Sequence, residues 1–107
     1  MSHKMYFENW EFVKMEWVED EITSNDIIEA KELLTKIAND NQLYYGYDCE
    51  NRFDYDLFVK DYKGNRWGYS ITIDRLGVEG EMQILRETAK IMKKVLKNER
   101  GIVYSDL

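Results

Sequence analysis

The clearest alternation of apolar and polar positions runs through the middle of the chain. Phe53, Tyr55, Leu57 and Val59 alternate with Asp54, Asp56, Phe58 and Lys60; Trp67, Tyr69, Ile71 and Ile73 then alternate with Gly68, Ser70, Thr72 and Asp74. A period of two marks strands with one face toward a core, and two such runs in close succession mark a hairpin. Matching the apolar faces demands an odd loop. Lys63-Gly64-Asn65 is expected to form it, setting Val59 opposite Tyr69, Leu57 opposite Ile71 and Tyr55 opposite Ile73. A two-residue turn would put Val59 opposite Ser70 and send one apolar set to the wrong face. Gly64 or Asn65 can supply the left-handed residue such a loop needs.

Two stretches carry a helical period instead. Ile27, Ile28, Ala30, Leu33, Leu34, Ile37 and Ala38 form one apolar face, ending near residues 39–41. Ser24, Asn25 and Asp26 offer capping oxygens at its start, with Asp26 and Glu29 spaced like a capping box. After Gly77 and Gly80, Met82, Leu85, Ala89, Met92 and Leu96 recur at threes and fours, widened by Ile84, Ile91 and Val95, as far as about Asn98. That row lasts barely two heptads, so it reads as sheet-packing core and not as a coiled-coil seam.

Leu43 to Tyr47 reads as a short aromatic strand, and Asp48 to Arg52 as a polar turn. Phe7 to Val18 is rich in aromatic and β-branched residues. Its apolar positions change parity near Phe12, as a β-bulge would cause, and strand is favoured over helix on composition. Met1 to Met5 is polar and holds a second methionine, so it reads as a frayed or appended end. The tail Ile102-Val103-Tyr104 is expected to add a short strand or to pack loosely. The order β-α-β-β-β-α predicts one α+β domain over residues 1–107. In it an antiparallel sheet of about four strands is covered on one face by two helices.

Composition supports a folded chain: 107 residues, 44% hydrophobic and 14% aromatic, are enough for one core. The chain contains no proline. One cysteine permits no internal disulfide, no leader-like segment opens the chain, and no apolar run approaches the ~20 residues of a membrane span. A reducing cytoplasm is the expected location.

Charge is unevenly laid out. Residues 1–61 hold 15 Asp/Glu against 6 Lys/Arg, a net −9, whereas residues 62–107 hold 6 against 9, a net +3; together they give the overall −6. Such asymmetry governs association more than fold.

Familiar catalytic constellations are missing from the sequence. The single histidine, His3, lies at the terminus, which leaves no Ser-His-Asp or Cys-His set and no four-ligand zinc site. Cys49 stands between Asp48 and Glu50, whose charges disfavour a thiolate. Gly77-Val78-Glu79-Gly80 has neither P-loop nor dinucleotide spacing. Nothing implies a cofactor.

Three surfaces could carry function. The expected register sets Asp54 opposite Asp74 on the outer face, with Asp56 diagonal to Asp74 and facing Thr72. Opposed like charges call for compensation, by a divalent cation or by a partner's Lys or Arg. Phe58 and Tyr62 share that face, with Tyr44 beside them if the Leu43 strand is a neighbour. Glu16, Glu19, Asp20 and Glu21 extend the negative field. On the second helix, Arg86, Lys90, Lys93 and Lys97 form a basic stripe with Lys94 alongside. A sequence pI of about 4.8 argues against direct nucleic-acid binding.

These residues predict a small acidic binding protein without enzymatic activity. It would dock Asp54, Asp56, Phe58, Tyr62 and Asp74, aided by Glu16, Glu19, Asp20 and Glu21, on a basic protein. A phage-type inhibitor of a host nucleic-acid-binding or defence protein, acting as a nucleic-acid mimic or steric block, fits that size and charge. Two other classes are carried: a divalent-metal enzyme using Asp54, Asp56 and Asp74, and a homo-oligomeric structural or assembly protein in which the basic stripe meets a neighbour's acidic half.

Overall fold

A computed structural model of the chain describes residues 4–8, 11–16 and 22–97, with side chains described from Ile22 onward. Two strands, β1 (Lys4–Glu8) and β2 (Glu11–Glu16), precede helix α1 (Ser24–Asp40). Strands β3 (Leu43–Cys49), β4 (Asp54–Asp61) and β5 (Arg66–Thr72) follow, and then helix α2 (Gly77–Leu96). The architecture is α+β: an antiparallel three-stranded sheet in the order β3-β4-β5, with two helices.

Among the described residues the sheet has three strands and not about four. The stretch expected as a single N-terminal strand is a two-stranded antiparallel ribbon, whose β1 and β2 pair with each other. Its register shifts where Tyr6 faces Lys14 and Phe7 faces Phe12, so the parity change near Phe12 is a bulge in a hairpin. β1 begins at Lys4, inside the segment expected to be frayed. The tail at residues 102–104 lies outside the described residues.

Helix α1 is capped one residue earlier than its sequence suggests. Thr23 accepts the Asp26 amide on its hydroxyl at 3.3 Å, and its own amide donates to Asp26 Oδ2 at 2.7 Å. The capping box is therefore Thr23 with Asp26, not Asp26 with Glu29. Ile27, Ala30, Leu34, Ile37 and Ala38 are buried, but Ile28 is turned out to solvent. In α2, Met82, Leu85, Ala89, Ile91, Met92 and Val95 are buried, as its periodicity predicts.

Leu57 and Val59 of β4 have no solvent exposure and sit at the centre of one cluster with Leu43, Trp67 and the apolar faces of both helices. The helices thus share one face of the sheet, α2 against β4 and β5, and α1 against β3. Tyr69 ties the sheet to α2 by donating to Glu87 Oε1 at 2.8 Å; burial first, and this bond second, push its phenol above the ordinary tyrosine range. No helix among the described residues is long and apolar enough to cross a membrane.

The central hairpin has the expected parity and a different register. Val59 faces Trp67, Leu57 faces Tyr69, Tyr55 faces Ile71 and Asp54 faces Thr72. The three-residue loop is Tyr62-Lys63-Gly64, one position earlier than expected, closed by the Asn65 carbonyl accepting the Asp61 amide at 2.9 Å. Asp61 moves it. Its Oδ1 accepts the amides of Lys63 and Asn65, both at 2.9 Å, and its Oδ2 accepts Asn65 Nδ2 at 3.0 Å. Gly64, at φ 90°, supplies the left-handed residue. A one-residue shift of an odd loop slides each cross-strand pairing by two, so every apolar side chain stays on the core face.

Candidate functional site

Both helices lie on one side of the sheet, and the other side carries the even-numbered residues of all three strands. Phe58 is at its centre, opposite Gly46 of β3 and Gly68 of β5. The ring leans over Gly46: a Cβ there would stand 2.9 Å from Phe58 Cζ. Arg66 lays its guanidinium 4.1 Å from the ring centroid and reaches across to β3, where it pairs with Asp48 Oδ2 at 2.9 Å. Phe58 is consequently half-buried, although neither α1 nor α2 covers it.

The expected opposition of Asp54 and Asp74 does not occur. Asp74 lies beyond the end of β5, exposed, because the register slides by two. Asp54 instead faces Thr72, whose hydroxyl donates to Asp54 Oδ1 at 2.8 Å, and Asn51 Nδ2 donates to Oδ2 at 2.7 Å. The Asn51 bond first, and the Thr72 bond second, hold the Asp54 carboxyl below the ordinary carboxylate range. Asp56 faces Ser70, whose hydroxyl donates to Asp56 Oδ1.

An opposed acid pair does exist, on the other side of β4, where Asp48 faces Asp56. Each member has its own compensation: Arg66 on Asp48 and Ser70 on Asp56. Among the described residues, no three His, Cys, Asp or Glu side chains are placed to hold a metal ion. Asp54, Asp56 and Asp74 therefore do not form the ligand set that the sequence-based register implied.

Phe58, Tyr44 and the acids Asp54 and Asp56 do share the outer face, with Tyr62 in the adjoining loop. Tyr44 is 65% and Tyr62 68% exposed, large apolar surface at the end of the face where Lys60 and Arg66 lie, away from Asp54. Glu16 belongs to β2 by its backbone; its side chain, and all of Glu19, Asp20 and Glu21, fall outside the described residues. On α2, Arg86 is half-buried, which lowers its pKa, and Lys90 pairs with Glu87 at 2.8 Å. Part of the basic stripe is thus engaged within the chain.

Three participants were not evident in the sequence. Asp48, in a stretch whose polar residues predict a turn, is the last outward-facing position of β3. Arg66 joins the site only through its reach over Phe58. Asn51 had a local signal: its Oδ1 accepts the amides of Phe53 at 2.9 Å and Asp54 at 3.1 Å, an Asx turn of the kind asparagine favours. Cys49 is exposed and donates to the Asn51 carbonyl at 2.9 Å.

No protein-family model matches the chain, and no curated protein or solved structure matches it.

Proposed function

We propose that this chain is a small, non-enzymatic, cytoplasmic binding protein that docks the outer face of its sheet on a basic protein. The observation that carries the proposal is the pairing of Asp54 and Asp56 with neutral donors. Asn51, Thr72 and Ser70 orient the two carboxylates without cancelling their charge. Fixed charges beside a half-buried aromatic lose little entropy when a partner's Lys or Arg arrives, and they speed its approach. Phe58, Tyr44 and Tyr62 provide the apolar contact that charge alone lacks.

The partner class that suits this face is a nucleic-acid-binding protein with a basic groove. A phage-type inhibitor of such a host or defence protein is the concrete form, argued from size and charge by analogy. Capture from lysate at low salt, elution at high salt and identification by mass spectrometry supply the partner. The purified pair is then compared with the Asp54→Asn/Asp56→Asn variant. Weakening of about tenfold or more, with a shallower dependence of affinity on salt, supports the proposal. An unchanged affinity and salt slope in the folded variant refutes it.

A further inference from the structure

We infer that the edge of β3 with which no strand among the described residues pairs joins the same edge of a second copy of this chain, making two three-stranded sheets into one six-stranded sheet about a twofold axis at Gly46. The Glu50 amide donates to the Asp54 carbonyl at 3.1 Å, which sets the alternation of the β3–β4 ladder. Tyr44, Gly46 and Asp48 then bond to β4, and the backbone N–H and C=O groups of Leu43, Tyr45, Tyr47 and Cys49 point to the other edge. Among the described residues no strand lies there.

An edge of this kind is ordinarily blunted by proline, lysine or a bulge. Leu43–Cys49 has none: its register with β4 is unbroken, and its one charge, Asp48, is held by Arg66. On the helix side the edge borders a cleft of about 140 Å³, where Tyr45, Gly46 and Tyr47 face Ile84, Leu85 and Thr88 of α2, and which the ion pair of Lys31 with Glu81 also lines. Tyr47, stacked on Tyr55 with ring centroids 5.1 Å apart, is still 48% exposed.

The strand's own symmetry selects a second copy as the occupant. Gly46 is the middle of its seven residues. With Gly46 opposite the partner's Gly46, all seven positions pair. Tyr45 meets the partner's Tyr47, and Leu43 the partner's Cys49, so that outward-pointing backbone groups meet their counterparts in about eight hydrogen bonds. Asp48 falls opposite the partner's Tyr44, and no acid faces an acid. The registers to either side that keep this parity shorten the ladder, and a further slide sets Asp48 against the partner's Asp48. Such an isologous pairing closes on itself. The Phe58 rings of the two copies, each leaning over its own Gly46, would converge across the axis.

Sedimentation velocity of the full chain over a concentration series, together with amide exchange followed by NMR, tests this. The expected result is twice the chain mass at high concentration, with exchange of the Tyr45, Tyr47 and Cys49 amides slowing in step. Tyr47→Pro removes an outward N–H without removing a bond to β4, and should weaken the dimer by about tenfold or more while leaving the far-UV spectrum unchanged. A wild-type chain at single mass throughout overturns the inference. So does a dimer in which those three amides still exchange freely, or a folded Tyr47→Pro that dimerises as before. If Tyr47→Pro fails to fold, amide exchange in the wild type decides.

Discussion

Arg66 covers Phe58: its guanidinium lies 4.1 Å from the ring centroid, on the face of the sheet that both helices leave open. The pair connects all three strands, because the same guanidinium ends on Asp48 of β3. It accounts for a half-buried aromatic where no core exists. A double-mutant cycle with Phe58→Leu and Arg66→Met, followed by urea unfolding, should return a coupling of about 0.5–1 kcal/mol. Additive effects would mean that the stacking contributes nothing.

The two glycines flanking Phe58 should respond differently to alanine. A Cβ on Gly68 would stand 1.9 Å from the Leu57 carbonyl oxygen, a backbone atom that can shift only with β4 itself. A Cβ on Gly46 meets only the far end of the Phe58 ring, which can tilt away. Gly68→Ala should cost about 3 kcal/mol and Gly46→Ala about 1 kcal/mol in urea unfolding.

Asp61 accounts for the position of the central loop through three hydrogen bonds. Asp61→Ala should lower stability by about 1 kcal/mol, since the freed donors are exposed and can turn to water. Cross-strand NOEs between β4 and β5 report whether the Val59–Trp67 pairing survives. Loss of stability with the register intact is the expected outcome.

Asp54 makes stability depend on acid. Its carboxyl is held below the ordinary range by Asn51 and then Thr72, so ionisation is easier in the folded chain than in the unfolded one. Its contribution is complete above the unfolded value of about 3.9 and is lost as pH falls through the lower folded value. The stability difference between wild type and Asp54→Asn should therefore be constant near neutrality and close below that pH. Thermal melts across an acid series measure it, and a difference that widens on acidification would contradict the assignment.

Much of the fold was legible from local pattern. Apolar residues at threes and fours located both helices, and the period-two alternation located β4 and β5, because burial of one face imposes that spacing whatever the rest of the chain does. Parity also required an odd loop. Which odd loop could not be read, because Asn65 and Gly64 both suit a left-handed turn and the choice rests on the Asp61 side chain bridging it. That single step of register moved Asp74 out of the acid cluster, placed Thr72 and Ser70 beside Asp54 and Asp56, and removed the Asp54–Asp74 opposition on which the alternative metal-enzyme reading rested.

The N-terminal stretch shows the same division. Its parity change near Phe12 was visible in the sequence, but a bulge in one strand and a bulge in a hairpin leave the same mark, and only pairing distinguishes them. Sequence alone therefore determined the residues that face the core, the two helices, the odd loop and the acidic bias of the first 61 residues, all of which depend on near neighbours. Tertiary structure decided the order β3-β4-β5, the Asp48–Asp56 opposition and the reach of Arg66 over Phe58. Those depend on which strands meet, and in which register, and hydrogen bonds between distant residues set both.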